Sequence, residues 1–124
     1  MERTLFDAQG HPIAYIADDG ERSIYLWSGH AVAYIDERLN CYGWNGQHLG
    51  WVEDGILFDQ HGLRVGFMRV GQPEPLGEAP AKSDKAAKRA KLAKCTPSER
   101  PARSRRTSNL PLAEFLKAGA VDSW

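Results

Sequence analysis

Four histidines stand within two residues of a regularly recurring glycine: His11 and His30 directly follow Gly10 and Gly29, His48 lies two after Gly46, and His61 directly precedes Gly62. Imidazole is the commonest metal ligand, so histidines at four comparable corners raise the chemistry of a zinc centre. That chemistry needs ring nitrogens within about 2.1 Å of one ion. Hairpin tips of a radial assembly point apart, and the unequal offsets from the glycines spoil four-fold convergence. The histidines are therefore expected to be exposed turn residues, with no metal and no cofactor. Asp7, Asp18, Asp19, Asp36, Asp54 and Asp59 all fall at turn positions, where a carboxylate accepts backbone N–H bonds. Ser28 beside His30 is too generic a pair for nucleophilic catalysis, and the chain has no nucleophile elbow, phosphate-binding glycine loop or paired-cysteine motif. No catalytic residue is assigned and an enzyme is not expected. Trp27 and Trp44, at turns, are the better candidates for an exposed contact surface, whereas Tyr15, Tyr34, Trp51 and Phe67 are expected to pack in the core.

The elements that must carry these residues are four copies of one unit, aligned on glycines spaced 19, 17 and 16 residues apart. Four residues before each glycine is an aromatic: Phe6, Tyr25, Tyr42, Phe58. Three after it is an aliphatic (Ile13, Val32, Leu49, Val65), then a small residue (Ala14, Ala33, Gly50, Gly66) and a second aromatic (Tyr15, Tyr34, Trp51, Phe67). Ile16, Ile35, Val52 and Met68 close the units. Apolar residues on both faces after the glycine describe a strand buried on both sides, and the short apolar pairs before it describe a second one. Asp7 to Gly10, Asp59 to Gly62 and Asn45-Gly46 are hairpin-turn sequences, the last suited to the two positive φ angles of a tight turn. Asp18-Asp19-Gly20, Asp36-Glu37-Arg38 and Asp54-Gly55 separate the units. The expectation is an all-β domain of eight short strands with approximate four-fold symmetry, in which the small residues let four strands meet at a crowded axis and the second aromatics fill the layer beside it.

This pattern resembles the bacterial four-fold β-flower family, on the strength of Trp44-Asn45-Gly46-Gln47-His48-Leu49-Gly50-Trp51 and Phe58-Asp59-Gln60-His61-Gly62. The resemblance covers residues 4–70 and implies a pseudo-four-fold symmetric β-flower of four hairpins, followed by a basic tail and a short C-terminal segment like Ser108 to Leu116. The alanine-rich tail differs from the proline-rich tails common in such proteins. No particular activity is implied.

The zero net charge of the 124 residues hides a polarised chain: residues 1–71 hold 5 arginines against 10 acids, and 72–124 hold 11 basic residues against 6 acids. Every lysine lies after residue 81, which marks a boundary. Three parts follow: a flower domain over 1–71, a flexible basic low-complexity linker over 72–107, and a short amphipathic helix within 108–124. Cys41 in a strand and Cys95 in the tail sit too differently to form a structural disulfide. With no leader-like N-terminus and no apolar run of spanning length, a cytoplasmic protein is expected.

Gly71 to Pro80 reads as linker, and residues 82–106 carry a net +8 with no aromatic. Lys82, Lys85, Lys88, Lys91 and Lys94 recur every third residue, a step that rotates about 60° around a helix and paints no stripe. With Arg89, Arg103, Arg105 and Arg106 they are the candidate phosphate-binding residues; the segment suits nucleic-acid backbones, anionic lipid, the acidic flower of another copy, or no ligand at all as a solvated spacer. Leu112, Phe115 and Leu116 fall at i, i+3 and i+4, with Ser108 or Asn109 as cap, Pro111 in the first turn and Gly119 as stop. Two turns do not persist alone, so this helix either folds back on the flower or docks in a partner's groove, and those three residues are the candidate partner-binding set. The sequence thus points to a non-enzymatic protein-interaction module with a tail-borne docking helix and an unidentified protein partner. The alternative is a nucleic-acid-associated protein that binds phosphate backbones through residues 82–106.

Overall fold

Each anchor glycine ends the same turn. The N–H groups of Gly10, Gly29, Gly46 and Gly62 donate to the carbonyls three residues earlier at 2.8–3.1 Å, and their φ angles are 85°, 96°, 86° and 80°. This is a type I turn followed by a left-handed residue, the three-residue hairpin loop that introduces a bulge beside it. The register accordingly slips at the same place in all four hairpins, between Leu5/Phe6, Ile24/Tyr25, Cys41/Tyr42 and Leu57/Phe58. Asn45 does not share the positive φ of Gly46, so the Asn-Gly pair is not the tight two-residue turn expected of it. Asp54-Gly55 is that turn, with φ of 53° and 75°. Leu39 takes the glycine's place in the turn before β5, with φ 66°.

The computed structural model describes residues 3–7, 9–17, 20–68, 94 and 106–120. Its elements are β1 (Arg3–Phe6), β2 (Pro12–Ile16), β3 (Ser23–Leu26), β4 (Ala31–Ile35), β5 (Asn40–Gly43), β6 (His48–Glu53), β7 (Ile56–Asp59), β8 (Arg64–Met68) and α1 (Leu112–Lys117). Successive strands pair antiparallel, and β1 pairs with β8 through Leu5↔Met68 and Phe6↔Phe67, so the sheet closes into an eight-stranded barrel. The domain is all-β and four-fold in plan, as expected. The linker Gly71 to Pro80, and with it Asp18, Asp19 and Cys95, lies outside the described residues.

Inside the barrel, each small residue faces a larger one across its hairpin: Leu5↔Ala14, Ile24↔Ala33, Cys41↔Gly50 and Leu57↔Gly66. The reason for smallness differs from the crowded axis that the repeats suggest. A Cβ on Gly50 would collide with the Phe58 carbonyl oxygen of the neighbouring strand, and one on Gly66 would come within 2.8 Å of the Phe6 carbonyl oxygen and 3.0 Å of Leu112 Cδ2. The crowding comes from the adjacent strand and the helix. The second aromatics lie on the opposite face of the sheet from the aliphatic interior; Tyr15, Tyr34 and Trp51 are buried there, as expected, and Phe67 is partly exposed.

The C-terminal helix closes the barrel end at which the anchor glycines lie. Leu112, Phe115 and Leu116 are buried in one cluster with Leu5, Ile24, Val32, Cys41, Leu57 and Val65. They are core residues of their own domain, which corrects their reading as a partner-binding set. Two devices hold the helix there. Residues 106–108 run parallel to β8, with Arg64 N–H donating to the Arg106 carbonyl at 2.9 Å and Ser108 N–H to the Arg64 carbonyl at 2.7 Å. At the far end Asn45 donates its backbone N–H to the Gly119 carbonyl at 3.0 Å and its side-chain amide to the Ala118 carbonyl at 2.9 Å. Gly43 and Gly119 approach so closely that a Cβ on either would strike the other's backbone. Pro111 occupies the N-cap position with no side-chain cap, and Ser108 Oγ instead accepts from Leu110 N–H in the preceding turn at 3.2 Å. A six-residue helix has too little intrinsic stability to form alone, so docking is what orders it.

Leu116 is fully buried beneath the helix. Leu116→Ala is expected to destabilise the whole barrel by about 2–5 kcal/mol in urea unfolding, with one cooperative transition rather than separate loss of the helix.

Candidate functional site

Four stacked ring pairs mark the seams between repeats. Tyr15 lies on Tyr25 with centroids 5.5 Å apart, Tyr34 on Tyr42 at 6.0 Å, Trp51 on Phe58 at 5.7 Å, and Phe67 on Phe6 at 5.6 Å. In each pair the second aromatic of one repeat meets the first aromatic of the next, directly opposite across the strands. Offset stacking of this kind adds about 0.5–1.5 kcal/mol beyond area burial. Two tryptophans buttress the seams edge-on: Trp27 against Tyr15 at 5.9 Å and Trp44 against Tyr34 at 5.6 Å. Trp44 is thereby only 2 % exposed, so its reading as a surface residue is corrected; Trp27 is partly exposed. In the fourth repeat Gln60 takes that position and donates its side-chain amide to the His48 carbonyl.

The Tyr34–Tyr42 seam carries polar chemistry that its sequence did not advertise. Asp36, just beyond β4, is partly buried. Its Oδ1 accepts the N–H groups of Arg38 and Asn40, both at 2.9 Å, and its Oδ2 accepts the Asn40 side-chain amide at 3.3 Å. Asn40 Oδ1 is in turn 3.2 Å from His48 Nε2, and the His48 ring stands edge-on to Tyr42 at 5.3 Å. His48 is 4 % exposed, against the expectation of an exposed turn residue. Onto this surface comes Lys94, whose Nζ lies 3.5 Å from Asp36 Oδ2 and over both rings, 4.9 Å from the Tyr42 centroid and 5.9 Å from that of Tyr34. A carboxylate beside two ring faces is suited to hold a cation.

The remaining sequence candidates separate widely. His11 and His61 are exposed, and His30 sits 3.0 Å from Ser28 Oγ through Nδ1. Among the described residues no group of three or more His, Cys, Asp or Glu side chains is placed to hold a metal ion. Asp7 and Asp59 hold their turns as read: Asp7 Oδ1 accepts the N–H groups of Gln9 and His11, and Asp59 Oδ1 those of His61 and Leu63, at 2.8–3.0 Å. Of the basic set, Lys82, Lys85, Lys88, Arg89, Lys91, Arg103 and Arg105 lie outside the described residues. Lys94 is on the seam, and Arg106 is exposed where the chain rejoins β8. Cys41 is a free thiol inside the barrel. Asp54, Arg64, Phe67 and Thr107 line a cleft of about 400 Å³ beside the Phe6–Phe67 seam. No helix among the described residues is long and apolar enough to cross a membrane.

Sequence reasoning missed Asn45 as the helix anchor and Asp36 as a lysine's partner. Both were read as turn residues only. The opposed charges of the two halves were the available signal for the second; nothing in the sequence pointed to the first.

Among the described residues, Cys41 and Asp36 contribute to the pH response of the domain. Burial pushes the Cys41 thiol up to about 12 from its ordinary 9.0, with the nearby Asp36 charge adding to the effect. For Asp36, partial burial pushes upward, but hydrogen bonds from Asn40 and Arg38 and the charge of Lys94 outweigh it, leaving the carboxyl below its ordinary 3.8. The raised thiol keeps its proton only in the folded state, so its contribution is lost as pH rises from 9.0 toward 12. The depressed carboxyl stabilises the fold above 3.8, and that contribution is lost as pH falls through the lower folded value. Urea midpoints across pH are expected to decline on both sides, and Cys41→Ala is expected to reduce the alkaline decline while leaving the acid one in place.

No curated protein and no solved structure matches the chain significantly. A family model does. It spans residues 3–116, from the first strand of the barrel through the buried Leu116 of the capping helix, well beyond the repeats alone. The chain belongs to the 4-fold beta flower protein family.

Proposed function

We propose that the protein is a non-enzymatic interaction module in which the flower is the platform and the basic segment is the arm that engages a protein partner with an acidic surface. The observation that carries this reading is the tethering of the arm. Residues 69–105 leave the end of β8 at Met68, and the chain returns to the beginning of the same strand, where residues 106–108 pair with Arg64. The two anchor points are four strand residues apart, about 13 Å along β8. A segment carrying the tail's positive charge is thus held at both ends against a domain of net −5.

The helix supports this division of labour. Its apolar residues are used in sealing the barrel, which leaves the segment between the anchors as the part available to a partner. The one lysine of that segment that is described meets a carboxylate and aromatic faces, chemistry that a protein surface supplies. A cytoplasmic setting suits the free buried Cys41, since reducing compartments keep thiols unpaired. Nucleic acid is the second reading, favoured by the net +8 of residues 82–106; with no aromatic among those residues, such binding would rest on phosphates rather than on stacked bases.

Full-length protein and a variant with Lys82, Lys85, Lys88 and Lys91 all changed to Gln separate the readings by crosslinked co-purification from native cells, with and without nuclease. The expected result is a protein partner recovered despite nuclease and lost in the variant, with the circular dichroism of the barrel unchanged. Recovery abolished by nuclease, with retained nucleic acid falling as salt rises, selects the second reading. Identical recovery with the variant overturns both.

A further inference from the structure

We infer that the Tyr34–Tyr42 seam with Asp36 is a lysine-binding site, and that its ligand is Lys94 of the chain's own basic segment. The site is built independently of its ligand. Asp36 is fixed by three hydrogen bonds from Arg38 and Asn40. The two rings are fixed by their stack and by Trp44 and His48 standing edge-on to them. An ammonium placed there meets the negative faces of both rings and one carboxylate oxygen at once, with no side chain left to reorganise.

Only this seam combines short-armed acid with stacked rings. The residue seven after each anchor glycine is Ala17, Asp36, Glu53 or Arg69. Ala17 offers no charge, and position 69 is itself cationic. Glu53 turns back to accept the Trp51 indole N–H at 3.3 Å. Asp36 reaches a cation lying over the rings beside it.

The position of the seam gives the contact its consequence. In the closed order β1 to β8, the β4–β5 seam lies diametrically opposite the β8–β1 seam, beside which the basic segment leaves and rejoins the barrel. The twelve residues from Lys94 to Arg106 span at most about 40 Å when extended. Seating Lys94 therefore pins the segment at a third point, on the face farthest from its two ends. The pin belongs to the isolated chain and needs no partner, so its failure would be distinct from failure of the proposed function.

Proton–carbon NMR of the full-length chain, labelled at its six lysines, tests this. In low salt one ε-methylene signal is expected well upfield of the others, shifted by the ring currents of Tyr34 and Tyr42. Lys94→Arg should delete that signal and thereby assign it, and Lys88→Arg should leave it in place. Asp36→Asn, which keeps the Oδ1 acceptor of the turn, should move it back among the other lysines. So should 1 M salt, where the screening length falls to about 3 Å. Six coincident lysine signals in the wild type, or an upfield signal deleted by Lys88→Arg instead, would overturn the assignment of the site to Lys94.

Discussion

The pairing of β1 with β8 is the contact on which the rest of the structure depends. Each hairpin is local and nearly self-specifying, yet four hairpins in a row enclose no common interior until the first strand meets the last. That meeting joins Leu5 to Met68 and Phe6 to Phe67 across more than sixty residues of sequence. Its cost is the entropy of closing a long loop, and its return is a common interior that no single repeat can enclose. Closure also consumes the sheet edges that an open four-hairpin array would present to other chains.

Once the ring is closed, its two surfaces take on different work. The interior is aliphatic, and a large residue faces a small one across every hairpin. The outer aromatics act as clasps between repeats, and because each clasp joins residues directly opposite one another, a slip of register by one residue would break all of them together. A ring of strands still has open ends, and the chain returns from a distant segment to fill one of them with Leu112, Phe115 and Leu116. The flower is thus completed by residues that lie outside the repeats, consistent with a family match that runs to residue 116.

That arrangement bears on function through electrostatics. The acidic ring and the basic segment belong to one chain, and the chain enters that segment from the end of β8 and rejoins the barrel at the start of the same strand. Asp36 shows how a residue serves both sides of this balance. It shapes a turn through the backbone contacts of Oδ1 and, with Oδ2, which also accepts the Asn40 side-chain amide, meets a cation from the opposite half of the sequence.

The strands, the turns and the four-fold plan were legible in the sequence, because a turn glycine and a strand's alternation are local properties, decided by backbone sterics within a few residues. The seam pairs were half legible: Tyr34 and Tyr42 stood out as aromatics of the repeat, but which face they occupied depended on the bulge beside each anchor turn. Trp44 was misplaced because its edge-on partner Tyr34 comes from the adjacent repeat, and His48 because Asn40 and Tyr42 meet it across its own hairpin. Asn45 and Asp36 looked like ordinary turn residues because the partners that give them further roles, Gly119 and Lys94, lie 74 and 58 positions away. The sequence by itself determined the unit and its repetition. Only the tertiary structure decided which face each aromatic took, what sealed the barrel and where the basic segment touched it, since those outcomes rest on contacts between residues that sequence spacing does not bring together.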